Sequence, residues 1–308
     1  MKTEKVITFF MLVTNYDIYI ADYSISSYNL LYLEKQSSNF PDFVLHIYAN
    51  CISDSNNFYL KKWEQLPFAL IYDNTKETNN VNFKSTDILI SPEGIQRPRE
   101  GLFESCDEIW TNQLQKISTK YFATVDADFE ILNSRFIIKM IEELENNINI
   151  AVFSTDYDQT KVVFDTYLNE NMVLSERWHT WFCVYRKSKY TIERSHYFYR
   201  FPMQNGMSFV YDSGAYLQNL IKSNNQMAYL DNYKYQTDFI HYGAFAKNKN
   251  LDQKSIKLYR KLAIYSKIGM FRRDTFFFKI INYVIKKTSF ILLKTKFQSE
   301  INERKYHH

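Results

Sequence analysis

Asp126 and Asp128 close an uncharged run, Tyr121-Phe-Ala-Thr-Val125, and only Ala127 separates them. The run reads as a buried strand. Alternate side chains of a strand share a face, so both carboxylates can meet one cation at the strand's C-terminal end. Hard divalent cations such as Mg²⁺ or Mn²⁺ take oxygen ligands and bridge carboxylates to substrate phosphates. The pair therefore points to a phosphate-bearing substrate held through a metal, although an Asp-rich turn after a strand has the same pattern. Two later stretches supply partners. Phe209-Val-Tyr-Asp-Ser-Gly214 reads as a strand that delivers Asp212 ahead of a helix, and Phe239-Ile-His241 as an apolar strand that ends on an imidazole. Neutral imidazole can complete a shell begun by two carboxylates. Taken singly, Asp212 reads as a helix cap and His241 as a structural histidine.

The elements that must position these residues alternate along the first 150 residues. Strands are predicted at Val6–Val13, Phe43–Ala49, Phe68–Tyr72, Tyr121–Val125 and Ile150–Ser154. Between them Asp22–Lys35, Ser55–Gln65 and Pro98–Leu114 read as helices. Asn133–Asn146 is the clearest helix, with Phe136, Ile137, Met140, Ile141 and Leu144 at helical spacing and Asn133 or Ser134 as cap. Alternating β and α segments imply a mainly parallel sheet covered by helices on both faces. Ligands in such sheets bind beyond the C-terminal ends of the strands, which is where the aspartates fall. From about 156 to 245 the segments shorten and become more aromatic. Strands are expected at Trp181–Tyr185, Ser208–Tyr211, Gln226–Asp231 and Gln236–His241, with a helix at Ala215–Lys222. No linker separates the two parts, so 1–250 is expected to be one domain and 251–308 an extension.

Composition removes several alternatives. None of the six glycines falls in G-x-G-x-x-G or G-x-x-x-x-G-K-[ST], the loops that bring backbone close to phosphate. Cys51, Cys106 and Cys183 are widely spaced, which argues against a disulfide framework or a structural zinc site. Aromatic residues make up 18% of the chain, mainly 25 Tyr and 25 Phe, alongside abundant Lys, Asn and Ile. A general compositional bias accounts for that, so aromatic content alone does not signify carbohydrate binding. Val6–Val13, after Lys2 and Lys5, reads as a first buried strand. No apolar run approaches the roughly 20 residues that span a bilayer.

The extension has a character of its own. Between Lys254 and Gln298 twelve Lys or Arg stand against the single acidic residue Asp274, so the rest of the chain, with an overall charge of +4, is net acidic. Phe271, Phe276–Phe278, Ile280, Ile281, Tyr283–Ile285 and Phe290–Leu293 interleave with these charges. The combination suits an amphipathic element lying on an anionic membrane, or else a helical cap with a solvated basic face. Nucleic acid is not expected as a partner, because no motif for it is present.

The ordered set of motifs resembles the GT-A-type, family-2-like nucleotide-sugar glycosyltransferases over roughly residues 5 to 245. The resemblance is carried by Pro98-Arg-Glu-Gly-Leu-Phe-Glu-Ser-Cys-Asp-Glu-Ile-Trp110 leading to Tyr121–Asp128, then Phe209–Gly214 and His241-Tyr-Gly243. It implies an α/β fold with a metal, Mn²⁺ or Mg²⁺, on Asp126, Asp128 and His241. The donor would be a nucleotide-diphosphate sugar, with Thr14, Asp73, Arg97 and Asp126 contacting its nucleoside or diphosphate. Asp212 leads as catalytic base for an inverting transfer, with Asp156, Asp158 and Glu176 as alternatives. Trp178, His179 and Trp181 would meet a glycan or lipid-linked acceptor. The expected setting is bacterial surface polysaccharide synthesis, cytoplasmic and peripheral on the inner face of the membrane. Two other readings stay open: a phosphatase of the haloacid dehalogenase type, and a non-catalytic glycan- or membrane-binding protein on a transferase scaffold.

Overall fold

The computed structural model describes residues 6–14, 17–50, 52–73, 88–90, 96–98, 109–110, 112–165, 170–187, 199–203, 206–212, 214–222, 225–242, 257 and 260–261. In chain order the strands are β1 (Ile7–Thr14), β2 (Phe43–Asn50), β3 (Ala69–Asp73), β4 (Ile88–Ile90), β5 (Gln96–Pro98), β6 (Tyr121–Asp126), β7 (Phe129–Ile131) and β8 (Ile150–Ser154). They continue as β9 (Tyr157–Asp158), β10 (Lys161–Asp165), β11 (Glu170–Leu174), β12 (Arg177–Trp178), β13 (Phe182–Arg186), β14 (Tyr199–Pro202), β15 (Ser208–Tyr211), β16 (Gln226–Tyr229) and β17 (Phe239–His241). Seven of them build the main sheet in the order β16-β8-β13-β6-β1-β2-β3. Within it β3, β2, β1 and β6 run parallel, as do β16 and β8, while β13 is antiparallel to both its neighbours. The architecture is thus α/β with a mainly parallel central sheet, as expected.

Burial on both faces explains why these strands read as continuous apolar runs. Ile7, Phe9, Met11 and Val13 of β1 join one core cluster, while Phe10 joins the opposite one. In β6, Tyr121, Ala123 and Val125 alternate with Phe122 in the same way, and in β13 Phe182 and Val184 alternate with Cys183 and Tyr185. Helices Ile18–Gln36, Asn57–Trp63 and Arg135–Asn146 cover the first face, and helix Ala215–Lys222 contributes Leu217 and Ile221 to the second. Of the two caps foreseen, Ser134 occupies the N-cap position without a side-chain bond, while Asn133 Oδ1 accepts from the Arg135 N–H at 2.9 Å. The strand expected at Gln236–His241 begins only at Phe239, because the short helix Asn232–Tyr235 runs into a turn over 236–238.

Two elements absent from the expectation matter for the site. A four-stranded sheet, β10-β11-β15-β14, stands beside the main one, and β9 pairs with β12 as a separate ribbon. The second is β7, which follows Asp128 directly and pairs with β17. Most of the helix expected at Pro98–Leu114 lies outside the described residues, although Ile109–Trp110 and 112–114 are helical. The basic extension also lies outside them, apart from Lys257, Arg260 and Lys261.

Candidate metal centre

Parallel register brings the polar ends of several strands to one edge of the sheet. Leu12 of β1 pairs with Asp126, Thr14 with Asn50, and Ala49 with Asp73. Phe182 begins the antiparallel β13 at that same edge, and the carbonyl of Trp181 just before it accepts from the Asp126 N–H at 3.0 Å.

His241 reaches this edge through the β7–β17 pairing. Ser24 and Ser27, one turn apart on helix Ile18–Gln36, grip β7. Ser24 Oγ donates to the Phe129 carbonyl, and Ser27 Oγ accepts from the Ile131 N–H at 3.0 Å. The carbonyl of Asp238 receives the N–H groups of Leu132 and Asn133, and its buried carboxylate holds Arg135 at 2.7 and 3.0 Å. The ladder then sets His241 opposite Phe129, one residue beyond Asp128, and the Tyr242 N–H closes it on the Asp128 carbonyl at 2.9 Å. Residues more than a hundred positions apart become neighbours.

Ligand atoms of Asp126, Asp128 and His241 all lie within 4.8 Å of one another. His241 Nε2 stands 3.5 Å from Asp128 Oδ1 and 4.0 Å from Asp126 Oδ2, yet this buried nitrogen makes no hydrogen bond. Donors sharing one Mg²⁺-sized ion at about 2.1 Å are at most about 4.2 Å apart, so both separations suit a common cation. Two hard oxygens plus one imidazole also form a donor set suited to Mn²⁺. Asp128 is 6% exposed and Asp126 49% exposed. One carboxylate is therefore fixed within the fold and the other opens to solvent and substrate.

Electrostatics reinforce the reading. Burial opposes protonation of His241, but the charges of Asp128, Asp126 and Asp156 outweigh it and raise its pKa above the ordinary value. A cation would answer the same negative field. Asp17 lies in that field too. Burial and the Asp128 charge push its pKa up to about 7, against hydrogen bonds from Thr14 N at 2.7 Å and Thr14 Oγ1 at 3.2 Å.

The other expected site residues divide. Thr14 and Asp73 lie on the same sheet edge as Asp126, with Thr14 engaged in holding Asp17. Arg97 belongs to β5, and its side chain lies outside the described residues. Of the three residues expected to meet an acceptor, Trp181 and Trp178 pack against different core clusters. Trp181 is 5% exposed and stacks on His241 with centroids 4.5 Å apart and planes at 14°, which fixes the imidazole plane. Trp178 packs against the opposite core cluster. His179 Nε2 lies 3.2 Å from Asp158 Oδ2, and its ring is 5.9 Å from that of Trp181. Asp212 Oδ2 accepts from Arg177 Nη1 at 2.8 Å, while Arg177 Nε approaches Asp158 at 3.7 Å. These four form one charged cluster.

Sequence reasoning passed over three contributors. Asn50 is fully buried at the end of β2, and its signal is the one that singles out Asp126, a polar residue closing an apolar strand. Asp17 follows β1 in the same fashion. Glu130, 3% exposed, accepts from Tyr242 Oη at 2.5 Å and from Arg260 at 2.6 to 2.9 Å. An isolated Glu in Phe-Glu-Ile carries no such signal.

No family model matches the chain, and no curated protein matches it. Among solved structures it is similar to a mannosyltransferase from Pyrobaculum calidifontis, solved with GDP-Man and Mn²⁺. The TM-score is 0.43 at 10% identity, covering 84% of this chain and 65% of that one. Mannosyl-3-phosphoglycerate synthase from Rubrobacter xylanophilus gives 0.31 at 7% identity, over 49% of this chain and 39% of that one. Glucosyl-3-phosphoglycerate synthase from Mycobacterium tuberculosis, in complex with Mn²⁺, UDP-Glc and phosphoglyceric acid, gives 0.29 at 13%, over 49% and 44%. These neighbours are GT-A-type nucleotide-sugar glycosyltransferases, and this chain spans less than two thirds of the length of each. At such scores the likeness decides nothing about substrate or mechanism.

Proposed function

We propose that this chain is a metal-dependent glycosyltransferase that takes a sugar from a nucleotide-diphosphate donor. The observation that carries the proposal is the convergence of Asp126, Asp128 and the hydrogen-bond-free Nε2 of His241 at the C-terminal edge of the parallel strands. A divalent ion, Mn²⁺ or Mg²⁺, held there supplies Lewis-acid stabilisation of the negative charge on a departing diphosphate. The protein's own residues do the rest. Asp128 and His241 fix the site's inner wall, Trp181 holds the imidazole plane, and Asp126 faces the donor. Thr14 and Asp73 are assigned to the nucleoside, and Arg97 to the diphosphate.

On the acceptor side, Asp212 is the proposed base that takes the hydroxyl proton in an inverting transfer, oriented by Arg177. His179 is assigned to acceptor hydroxyls. The proposed acceptor is a glycan or lipid-linked glycan of a bacterial surface polysaccharide. The basic segment 254–298 would hold the protein on the cytoplasmic face of the membrane.

The test of the activity is a thermal-shift panel of nucleoside diphosphates and nucleotide sugars, with and without Mn²⁺. One nucleotide should stabilise the wild type only when Mn²⁺ is present, and Asp128→Ala should abolish that shift. A shift of the same size in Asp128→Ala removes the metal site from the proposal. Stabilisation without turnover of any donor would instead favour a binding protein on this scaffold. For the membrane setting, a truncation beginning after Lys261 should release the protein from anionic vesicles, and undiminished binding would refute that part.

A further inference from the structure

Tyr23, Glu130, Tyr242 and Arg260 come from four separate stretches of the chain and meet on one side of the β7–β17 ribbon. Each of these strands has three residues, and among the described strands they pair only with one another. A two-stranded ribbon of that length is marginal by itself, so its placement depends on what grips each face. Side chains alternate between the faces. The register puts Phe129, Ile131, Phe239 and His241 on one of them, where the three apolar residues enter the first core cluster. Glu130 and Ile240 oppose each other on the other.

That second face is held by charge. The buried Glu130 accepts from Tyr242 Oη at 2.5 Å, and Arg260 binds it through Nε at 2.8 and 2.9 Å and Nη2 at 2.6 Å. The same guanidinium lies 5.5 Å from the ring centroid of Tyr23, on the helix whose Ser24 and Ser27 hold the backbone of β7. Arg260 therefore ties the segment beyond residue 250 to the ribbon and to the helix that carries it.

Both residues it organises are joined through the chain to a proposed metal ligand. Glu130 stands two residues after Asp128. Tyr242 follows His241 directly, and its N–H donates to the Asp128 carbonyl at 2.9 Å. A buried carboxylate deprived of its cation moves toward water, and strands this short shift with it. Metal donors must be held to within a fraction of an ångström, so that shift loosens Asp128 and His241 together. Charge alone argues the opposite sign, because losing a cation makes the surroundings more negative and favours a bound cation. Water drawn in at the half-open arginine position screens the added charge, which leaves the positional effect the larger.

We infer that Arg260 is a positioning residue for the metal centre, acting through Glu130 and Tyr242, and that metal occupancy and the docking of Arg260 strengthen one another. The inference rests on reading Asp126, Asp128 and His241 as metal ligands. The experiment is calorimetric titration of the full chain with Mn²⁺ alone, paired with hydrogen exchange of the peptide that carries Arg260. Arg260→Met should weaken Mn²⁺ binding about fivefold or more. Arg260→Lys, which returns the charge without the planar fork, should recover part of the loss. Tyr242→Phe should weaken binding in the same direction, and it gives the reading should Arg260→Met fail to fold. Leu144→Ala is the structural control. It opens a cavity in the same core at the opposite end of the sheet, where Arg186 pairs with Tyr121 and donates to the Leu144 carbonyl. Its Mn²⁺ affinity should stay within about twofold of the wild type. Linkage requires the converse, so saturating Mn²⁺ should slow exchange at Arg260 by the same factor in the wild type and not in Asp128→Ala. The inference is overturned if Arg260→Met binds Mn²⁺ as tightly as the wild type or more tightly, if Leu144→Ala loses as much, or if Mn²⁺ leaves the exchange unchanged. A wild type that takes up no Mn²⁺, or an Asp128→Ala variant that takes it up equally well, would overturn the metal reading and this inference with it.

Discussion

Replacing Arg260 by methionine tests how the segment beyond residue 250 is joined to the body of the protein. The guanidinium contacts Glu130 through Nε at 2.8 and 2.9 Å and Nη2 at 2.6 Å, and Tyr242 Oη adds a third donor at 2.5 Å. Glu130 is 3% exposed and Arg260 36% exposed, so the substitution leaves a buried carboxylate without its cation. Removing one partner of a buried pair costs about 3–5 kcal/mol. The Tyr242 hydroxyl still donates to the carboxylate, and hydrogen bonds to charged groups contribute about 1.5–3 kcal/mol. Water also reaches the half-open arginine position. Both effects move the expected loss to about 2–3 kcal/mol, while methionine keeps much of the aliphatic contact. Glu130→Gln alone should cost less, because the freed arginine is partly solvated. In the double variant most of the loss should return, giving a coupling energy of about 1.5–2 kcal/mol. Urea unfolding followed by tryptophan fluorescence measures all four corners of this cycle. A loss below about 0.5 kcal/mol for Arg260→Met, within the range of ordinary surface changes, would refute the pairing. So would a double variant as unstable as the sum of its parts.

Two further outcomes follow from local geometry. Gly214 has φ +81° and would place a Cβ 2.9 Å from the Trp110 ring and 3.1 Å from Thr180. Gly214→Ala should therefore destabilise by about 2 kcal/mol or more in the same urea assay, and a neutral result would contradict the tight turn after Asp212. The carboxyl of Asp158 is held well below its ordinary 3.8, first by the hydrogen bond from His179 and, against burial, by the charges of His179, Lys161 and Arg177. A carboxylate depressed in the folded state stabilises at every pH above its unfolded value and loses that contribution as the pH falls below it. Asp158→Asn should therefore narrow the stability difference between pH 6 and about pH 3, and an unchanged acid limb would refute the argument.

How much of this is legible in the sequence depends on the range of the interaction. Buried parallel strands announce themselves as uninterrupted apolar runs, so β1, β2, β6 and β8 can be located to within a residue or so at either end. The carboxylate pair is legible for the same reason, because two charges closing such a run stand out against it. What no local pattern carries is β7. Phe-Glu-Ile is too short to show a period, and its conformation is imposed by Ser24, Ser27 and the partner strand β17. The surroundings of the acceptor-side residues are illegible on similar grounds. Arg177, Trp178 and His179 are consecutive, but a two-residue strand sends neighbours to opposite faces. Arg177 and His179 thus turn to Asp158, while Trp178 packs against the cluster of Tyr185 and Leu217.

That division bears on how such a site can be built at all. A metal centre needs donors held to within a fraction of an ångström, and a loop alone does not supply that rigidity. Here the proposed donors sit on the last residue of a core strand, on the turn after it, and on a short strand pinned to that turn. His241 can hold its nitrogen unpaired because Trp181 covers one ring face and Asp238, three residues earlier, is clamped by Arg135. Holding an imidazole nitrogen 3.5 Å from Asp128 and 4.0 Å from Asp126 costs side-chain freedom. The cost is borne by contacts reaching from helix Ile18–Gln36 to Arg260, so the arrangement is a constraint on the whole domain and not an accident of three adjacent side chains.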